Sequence, residues 1–174
     1  TVYIPSFIKE VKAPLVLRLT PSTTGTNNFA AGTQALYRNT TGNYNTAIGR
    51  FALWFNTTGC YNTAIGVFAL CRNTTGNNNT AIGRYALSQN TTGYNNIALG
   101  NNILTNNTSG YINVAIGNNV LTNNIAGGYN VALGGSALQN GLYGSDNVAV
   151  GSFSLQSNTN GNRNVALGKS TLRN

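Results

Sequence analysis

The stretch Asn-Thr-Ala-Ile-Gly at residues 45–49 returns unchanged at residues 62–66 and 79–83. Related stretches continue the series in both directions, and in each of them the Ala stands 17 residues after the preceding one. The column consists of Ala30, Ala47, Ala64, Ala81, Ala98, Ala115, Ala132, Ala149 and Ala166. A Gly follows each Ala after two residues, and a Leu follows it after six. Nine units of 17 residues therefore fill residues 22–174 without an insertion.

A period this short, held without insertions, predicts a solenoid in which each unit is one coil stacked on the next. Within a unit, the alternation of side-chain types is typical of a β-strand. We therefore predict an all-β fold, a parallel β-solenoid (β-roll or β-helix) of nine 17-residue coils over residues 22–174. Residues 1–21 do not repeat, and we predict that they form a short N-terminal arm or cap strand.

The alternation also predicts which side chains face the interior. Thr46 and Ile48 share one face of the strand, and the Thr position becomes Ile or Val from residue 97 onward. We therefore expect this face to be the interior, and the Ala/Gly face to be the surface along which chains associate. The pair Ala52-Leu53 predicts a second short strand with its Leu pointing into the same interior. Gly42 and its equivalents predict a corner with positive φ.

An Asn precedes each Ala by two residues, and two interpretations compete for it. We favour a structural ladder, in which the Asn tolerates a left-handed corner and its side-chain amide bonds to the equivalent Asn of the next coil. The other interpretation is a row of polar ligand-binding groups. A residue present once per coil is usually required by the coil itself. The predicted ladder residues are Asn45, Asn62, Asn79, Asn96, Asn113, Asn130, Asn147 and Asn164.

Catalytic residue types are almost absent. The chain contains 31 Asn, 22 Thr and 21 Gly, but no His and no Met. Its two carboxylic side chains, Glu10 and Asp146, would lie about 30 Å apart at roughly 4.8 Å per coil, whereas a glycosidase pair lies within about 10 Å. The two cysteines, Cys60 and Cys71, are too few for a disulfide scaffold and lack the spacing of a metal site. We therefore expect a non-enzyme with no metal site and no cofactor.

The charge and the hydropathy pattern bear on partners. Ten Lys and Arg residues and two acidic residues give a formal net charge of +8. This charge favours binding to anionic surfaces but does not identify a particular one. No apolar run approaches the roughly 20 residues of a membrane span. We therefore expect no membrane insertion.

Aromatic residues recur near one corner of the repeat and are candidates for surface binding. They are Tyr44, Tyr61, Tyr94, Tyr111 and Tyr129, while Phe51, Phe68 and Tyr85 align in another column. Stacking between coils or burial against another chain is the first interpretation. Binding of sugars comes second and single-stranded nucleic acid third, because the Arg residues form only sparse pairs. Paired Thr columns suggest an ice-binding array, but they end halfway along the chain.

The Asn-Thr-Ala-Ile-Gly stretches, and the Asn-Val-Ala stretches that begin at residues 113, 130, 147 and 164, resemble a known repeat family. They are similar to the YadA-like head repeats of trimeric autotransporter adhesins and to related bacteriophage tail-fibre repeats. The resemblance covers about residues 22–174, with a longer unit here. It implies a left-handed parallel β-roll, three chains packed about an axis and a role in surface attachment. No binding residue carries over from that family.

We therefore expect a non-enzymatic structural or adhesive protein that forms an extracellular fibre, a filament or a virion fibre. Its location would be extracellular, on a cell surface or on a virion. The alternative is a carbohydrate-binding module that recognises a cell-surface glycan, and an ice-binding solenoid ranks below both.

The ends of the repeat suggest two modes of homo-oligomerisation. Because the last unit keeps the full pattern to Asn174, its strand edge is expected to need a cover. Chains could form a parallel bundle such as a trimer. The edge could be covered by further sequence, by a different protein or by the apolar N-terminal arm of another copy. The arm of another copy would produce a head-to-tail filament. The arm residues for this contact are Val2, Ile4, Leu15, Leu17 and Leu19.

Overall fold

The structure, a computed structural model, describes residues 24–173. Within that range it contains nine three-residue strands and no helix. The strands form one parallel sheet in chain order. They are β1 (Phe29–Ala31), β2 (Thr46–Ile48), β3 (Thr63–Ile65), β4 (Thr80–Ile82), β5 (Ile97–Leu99), β6 (Val114–Ile116), β7 (Val131–Leu133), β8 (Val148–Val150) and β9 (Val165–Leu167). The predicted all-β parallel solenoid is confirmed.

The sheet register follows the sequence period without a slip. Ala47 pairs with Ala64, and Ala64 pairs with Ala81, so equivalent residues of successive coils stack directly. The same 17-residue offset holds in all eight strand pairings, which gives about eight turns. The predicted N-terminal arm, including Val2, Ile4, Leu15, Leu17 and Leu19, lies outside the described residues.

The orientation of the strands is opposite to the predicted one. Ala47 is 0% exposed, whereas Ile48 on the other face is 37% exposed. A 17-residue coil is so narrow that the space between the strand and the opposite wall accommodates a methyl group, and the larger β-branched side chains project outward. The prediction of a Thr/Ile interior is therefore wrong. So is the prediction that chains bundle along their Ala/Gly faces, because the Ala column is enclosed within its own chain.

The wall opposite the sheet is built from bends, and the predicted second strand at Ala52-Leu53 is absent from every described coil. Phe51 and Leu53 take positive φ values of 59° and 49°, and the equivalent residues of the other coils do the same. Such a conformation is uncommon for Leu. Leu53 is nevertheless fully buried, as predicted, and its N–H donates to the Ala69 carbonyl (3.0 Å). Burial and the intercoil hydrogen bond thus hold the chain in this strained bend.

The corner Gly ends the stretch Asn39-Thr40-Thr41-Gly42 and its equivalents, the Asn-Thr-Thr-Gly corner. It is required because a side chain has no room there and not because φ is positive. At Gly59, a Cβ would overlap the Asn56 Oδ1 and lie 2.5 Å from the Gly76 carbonyl oxygen. The Gly that takes a positive φ is the one after the strand, such as Gly49 at 125°. The conformational reason predicted for Gly42 and its equivalents is therefore wrong.

Candidate functional site

The Asn residues that precede the strands form a continuous ladder inside the coil. Asn62 Nδ2 donates to Asn45 Oδ1 (3.1 Å) and to the Gly76 carbonyl (2.8 Å), and Asn62 N–H donates to the same Asn45 Oδ1 (3.0 Å). The pattern runs on to Asn164. The left-handed φ belongs to the preceding residue, as at Tyr44 (56°), so the proposed left-handed corner at Asn45 is wrong. Because Asn45 to Asn147 are buried, this row has no surface on which to bind a ligand.

A second Asn ladder, which the sequence analysis did not identify, runs beside the first. Asn73 Nδ2 donates to Asn56 Oδ1 (2.7 Å) and to the Gly76 carbonyl (2.9 Å). Both ladders therefore converge on one Gly carbonyl in each coil. The members of the second ladder are Asn39, Asn56, Asn73, Asn90, Asn107 and Asn124. The signal for it was the Asn that begins the Asn-Thr-Thr-Gly corner, which recurs every 17 residues from Asn39 to Asn124.

The five candidate Tyr residues do not form one platform. Tyr44 and Tyr61 stack with ring centroids 4.9 Å apart and planes 5° apart. Tyr94 and Tyr111 stack at 5.3 Å, and Tyr129 meets Tyr111 edge-on at 81°. Tyr44, Tyr61 and Tyr129 share one position of the repeat, whereas Tyr94 and Tyr111 lie one residue earlier in their units. Their rings are partly exposed, but they present two short, separate patches.

A denser aromatic group lies at the bend after the strand in the second to fourth coils. Phe51 stacks on Phe68 (5.0 Å) and Phe68 stacks on Tyr85 (5.2 Å). The Trp54 ring packs at a tilt against Phe51 (4.9 Å) and against Phe55 (4.4 Å). We call these five residues the aromatic corner.

Four arginines surround the aromatic corner. The guanidinium carbon of Arg38 lies 4.6 Å from the centre of the Phe55 ring, which is cation–π distance. Arg50 and Arg84 lie 4.6 and 4.7 Å from the rings of Phe51 and Tyr85. The fourth, Arg72, lines the adjacent groove. The sequence contains no Asp or Glu between Glu10 and Asp146, so no acidic side chain lies near these four arginines along the chain.

A groove of about 360 Å³ opens beside the aromatic corner. Its lining includes Trp54, Phe68, Arg72 and Gln89. The indole N–H of Trp54 is buried and has no hydrogen-bond acceptor, although such a donor is usually paired when it is buried. Cys71 also lines this groove, and burial raises the pKa of its thiol, while Arg72 lowers it by less.

The described residues offer little else that could carry chemistry. Residues 24–173 contain no group of three or more His, Cys, Asp or Glu side chains that could hold a metal ion. Both cysteines are free thiols, and the Cys60 thiol donates to the Thr58 carbonyl (3.3 Å). A membrane-spanning helix is also absent from that range. No protein-family model, curated protein or solved structure matches the chain.

Proposed function

We propose that this chain is a non-enzymatic structural or adhesive protein that forms part of an extracellular fibre, on a cell surface or a virion. The observation that carries the proposal is the outward face of the sheet. On this face the side chains of Ile82 and Ile116 are about 40% exposed, and the row of apolar side chains continues from coil to coil. An apolar surface of this length on a rigid rod favours burial against another chain.

The occupant that fits this face is a second copy of the same chain. Because every coil presents its two outward residues with the same offset, two parallel rods could match their rows coil by coil. In this mode the chains associate along the outward faces of their sheets and not along their Ala/Gly faces. The number of associated chains, for example three, is part of the proposal.

The assembly is tested by light scattering after size exclusion and by negative-stain microscopy. The double variant Ile82→Lys/Ile116→Lys places two charges on the outward face and is expected to shift the particles to single chains. The matched control Thr75→Lys/Thr92→Lys changes exposed residues at a different corner and should leave association intact. A native chain that is monomeric at every concentration would contradict the proposal, as would a face variant that associates normally.

The head-to-tail filament is tested separately by deleting residues 1–20. If the N-terminal arm links subunits, the truncated protein keeps its repeats folded and loses end-to-end growth. Fibres of normal length from the truncated protein would exclude the linking arm while leaving lateral association untouched.

A carbohydrate-binding module is the second candidate, and the groove beside the aromatic corner favours it. An ice-binding face has less support. One of the two Thr columns uses its hydroxyls for hydrogen bonds between coils, since Thr57 Oγ1 donates to the Thr74 carbonyl (3.0 Å). The other Thr column gives way to Ser109 and Ala126 halfway along.

A further inference from the structure

The coil does not require the aromatic corner. In the sixth and seventh coils the positions of Phe51 and Trp54 are occupied by Asn119 with Thr122 and by Ser136 with Gln139. The backbone keeps the same left-handed bend there, with φ of 55° at Asn119 and 59° at Ser136 against 59° at Phe51. Polar side chains therefore build this bend equally well, and the aromatic group in the second to fourth coils needs another explanation.

The groove beside the corner extends along the solenoid. Gln89 lines both the cavity at Trp54 and a second cavity of about 400 Å³ that reaches Asn106 and Asn123. A third cavity, of about 230 Å³, lies between Phe55, Arg72 and two Thr residues, Thr74 and Thr91. The groove thus begins with aromatic rings and arginines and continues with amide and hydroxyl side chains beside the apolar Ile125 and Leu142. Such a lining suits an extended ligand that is rich in hydroxyl groups and negatively charged.

The arginines indicate how the charges on the ligand are spaced. Arg38 and Arg72 occupy the same position of the repeat two coils apart, as do Arg50 and Arg84. At about 4.8 Å per coil, each pair is separated by roughly 10 Å. The phosphates of a nucleic acid strand follow one another at about 3.4 Å along a duplex, so most of them would have no arginine partner here. A charge on every second sugar ring of a linear polysaccharide fits the wider spacing.

We propose that the groove beside the aromatic corner binds a linear acidic polysaccharide with a negative charge on alternate sugar rings. Arg38 and Arg72 bind the acidic groups, and Gln89 and the Thr and Asn side chains bind the hydroxyls. Only the biological use of this binding rests on the adhesive function proposed above. Binding is measured on the purified chain and association by light scattering, so either can fail without the other.

Trp54 supplies the readout, because it is the single Trp of the chain and its indole lies at the groove. Hyaluronate and unsulfated chondroitin oligosaccharides, which both carry a carboxylate on alternate rings, are titrated against Trp54 emission and by calorimetry. We expect at least one of them to change the emission and bind. Neutral dextran, poly(dT) and poly-L-glutamate should bind at least about tenfold more weakly.

Charge-matched variants separate a built site from general attraction to a basic protein. Arg38→Gln/Arg72→Gln should weaken binding at least about tenfold. Arg163→Gln/Lys169→Gln removes the same charge from the ninth coil and should leave the dissociation constant within about twofold. Trp54→Phe should weaken binding by calorimetry with an unchanged circular dichroism spectrum. Equal losses in the two charge variants would overturn the proposal, as would stronger binding of poly(dT) or poly-L-glutamate, or no binding of either acidic oligosaccharide.

Discussion

The side-chain oxygen of Asn124 has no hydrogen-bond donor because the next position of its ladder, 17 residues on, is Gly141. The Nδ2 of Asn124 still donates to Asn107 (2.7 Å) and to the Gly127 carbonyl (3.1 Å). The second Asn ladder is therefore complete up to this coil and interrupted at one residue. A buried acceptor without a partner costs about 1–3 kcal/mol.

Gly141→Asn should repair the interruption and stabilise the protein. A Cβ at this position would meet its nearest neighbours at 3.4 Å, and Gly141 does not take a positive φ, so the side chain is accommodated. We expect the free energy of unfolding to rise by about 1 kcal/mol more than in Gly141→Ala. Thermal and urea unfolding measure both variants. If the two variants are equally stable, the unpaired oxygen of Asn124 is not the cause.

Replacing one Asn of the first ladder should destabilise the protein far more than replacing an exposed Asn. Asn79 Nδ2 donates to Asn62 Oδ1 (3.2 Å) and its Oδ1 accepts from Asn96 N–H (3.0 Å), both in the interior. Asn79→Ala leaves several buried groups unpaired and should lower the free energy of unfolding by about 3 kcal/mol or more. Asn106→Ala, at an exposed position, should change it by less than about 0.5 kcal/mol. Similar losses of stability in the two variants would mean that an Asn of the ladder contributes no more to stability than an exposed Asn.

The 17-residue period predicted the sheet register, because stacking identical positions leaves one pairing for each strand. The same pattern could not decide which face turns inward. Period-two alternation places Ala47 and Ile48 on opposite faces, and hydrophobicity alone favours Ile48 for the interior. Because the coil is narrow, Ala47 and not Ile48 faces the interior. The width of the coil depends on the bend at Leu53. A left-handed Leu is improbable from its intrinsic preference, and only intercoil packing makes it the stable choice.

The candidate site was predicted less completely than the fold, for a related reason. A periodic residue such as Asn45 was recognisable as structural because each coil repeats it. Residues that interrupt the period carry no such signal. Trp54 and Phe55 are recognisable as a candidate site only from their surroundings, which include Phe68, Arg38 and the groove. These neighbours belong to other coils, and the linear sequence pattern does not show that they are close.

The corner Gly should not tolerate even one added carbon. At Gly59 a Cβ would lie 2.5 Å from the Gly76 carbonyl oxygen and 2.7 Å from Asn73 Nδ2, both held by the ladders. Gly59→Ala should therefore destabilise the protein by at least about 3 kcal/mol. Gly135→Ala is the control, because nothing lies within 4 Å of its Cβ and its φ is not positive. Urea unfolding compares the two, and a Gly59→Ala protein as stable as the control would show that the coils can move apart.

The two thiols should react at very different rates, since Cys71 is buried at the groove and Cys60 is half-buried at a corner. Burial raises the pKa of the Cys71 thiol, so at pH 8 less of it is the reactive thiolate than in an exposed cysteine. In a Cys60→Ser protein, labelling of Cys71 by a maleimide should be at least about tenfold slower than labelling of Cys60 in a Cys71→Ser protein.

The labelling rate of Cys71 should rise as the pH increases above 8, because the thiolate fraction grows towards the raised pKa. In concentrated guanidinium chloride both cysteines are exposed, and their rates should become similar. Equal rates in the folded protein would mean that the groove opens fast enough to expose Cys71. That result would also contradict the burial of Cys71, which lines the same cavity as Trp54 and Phe68.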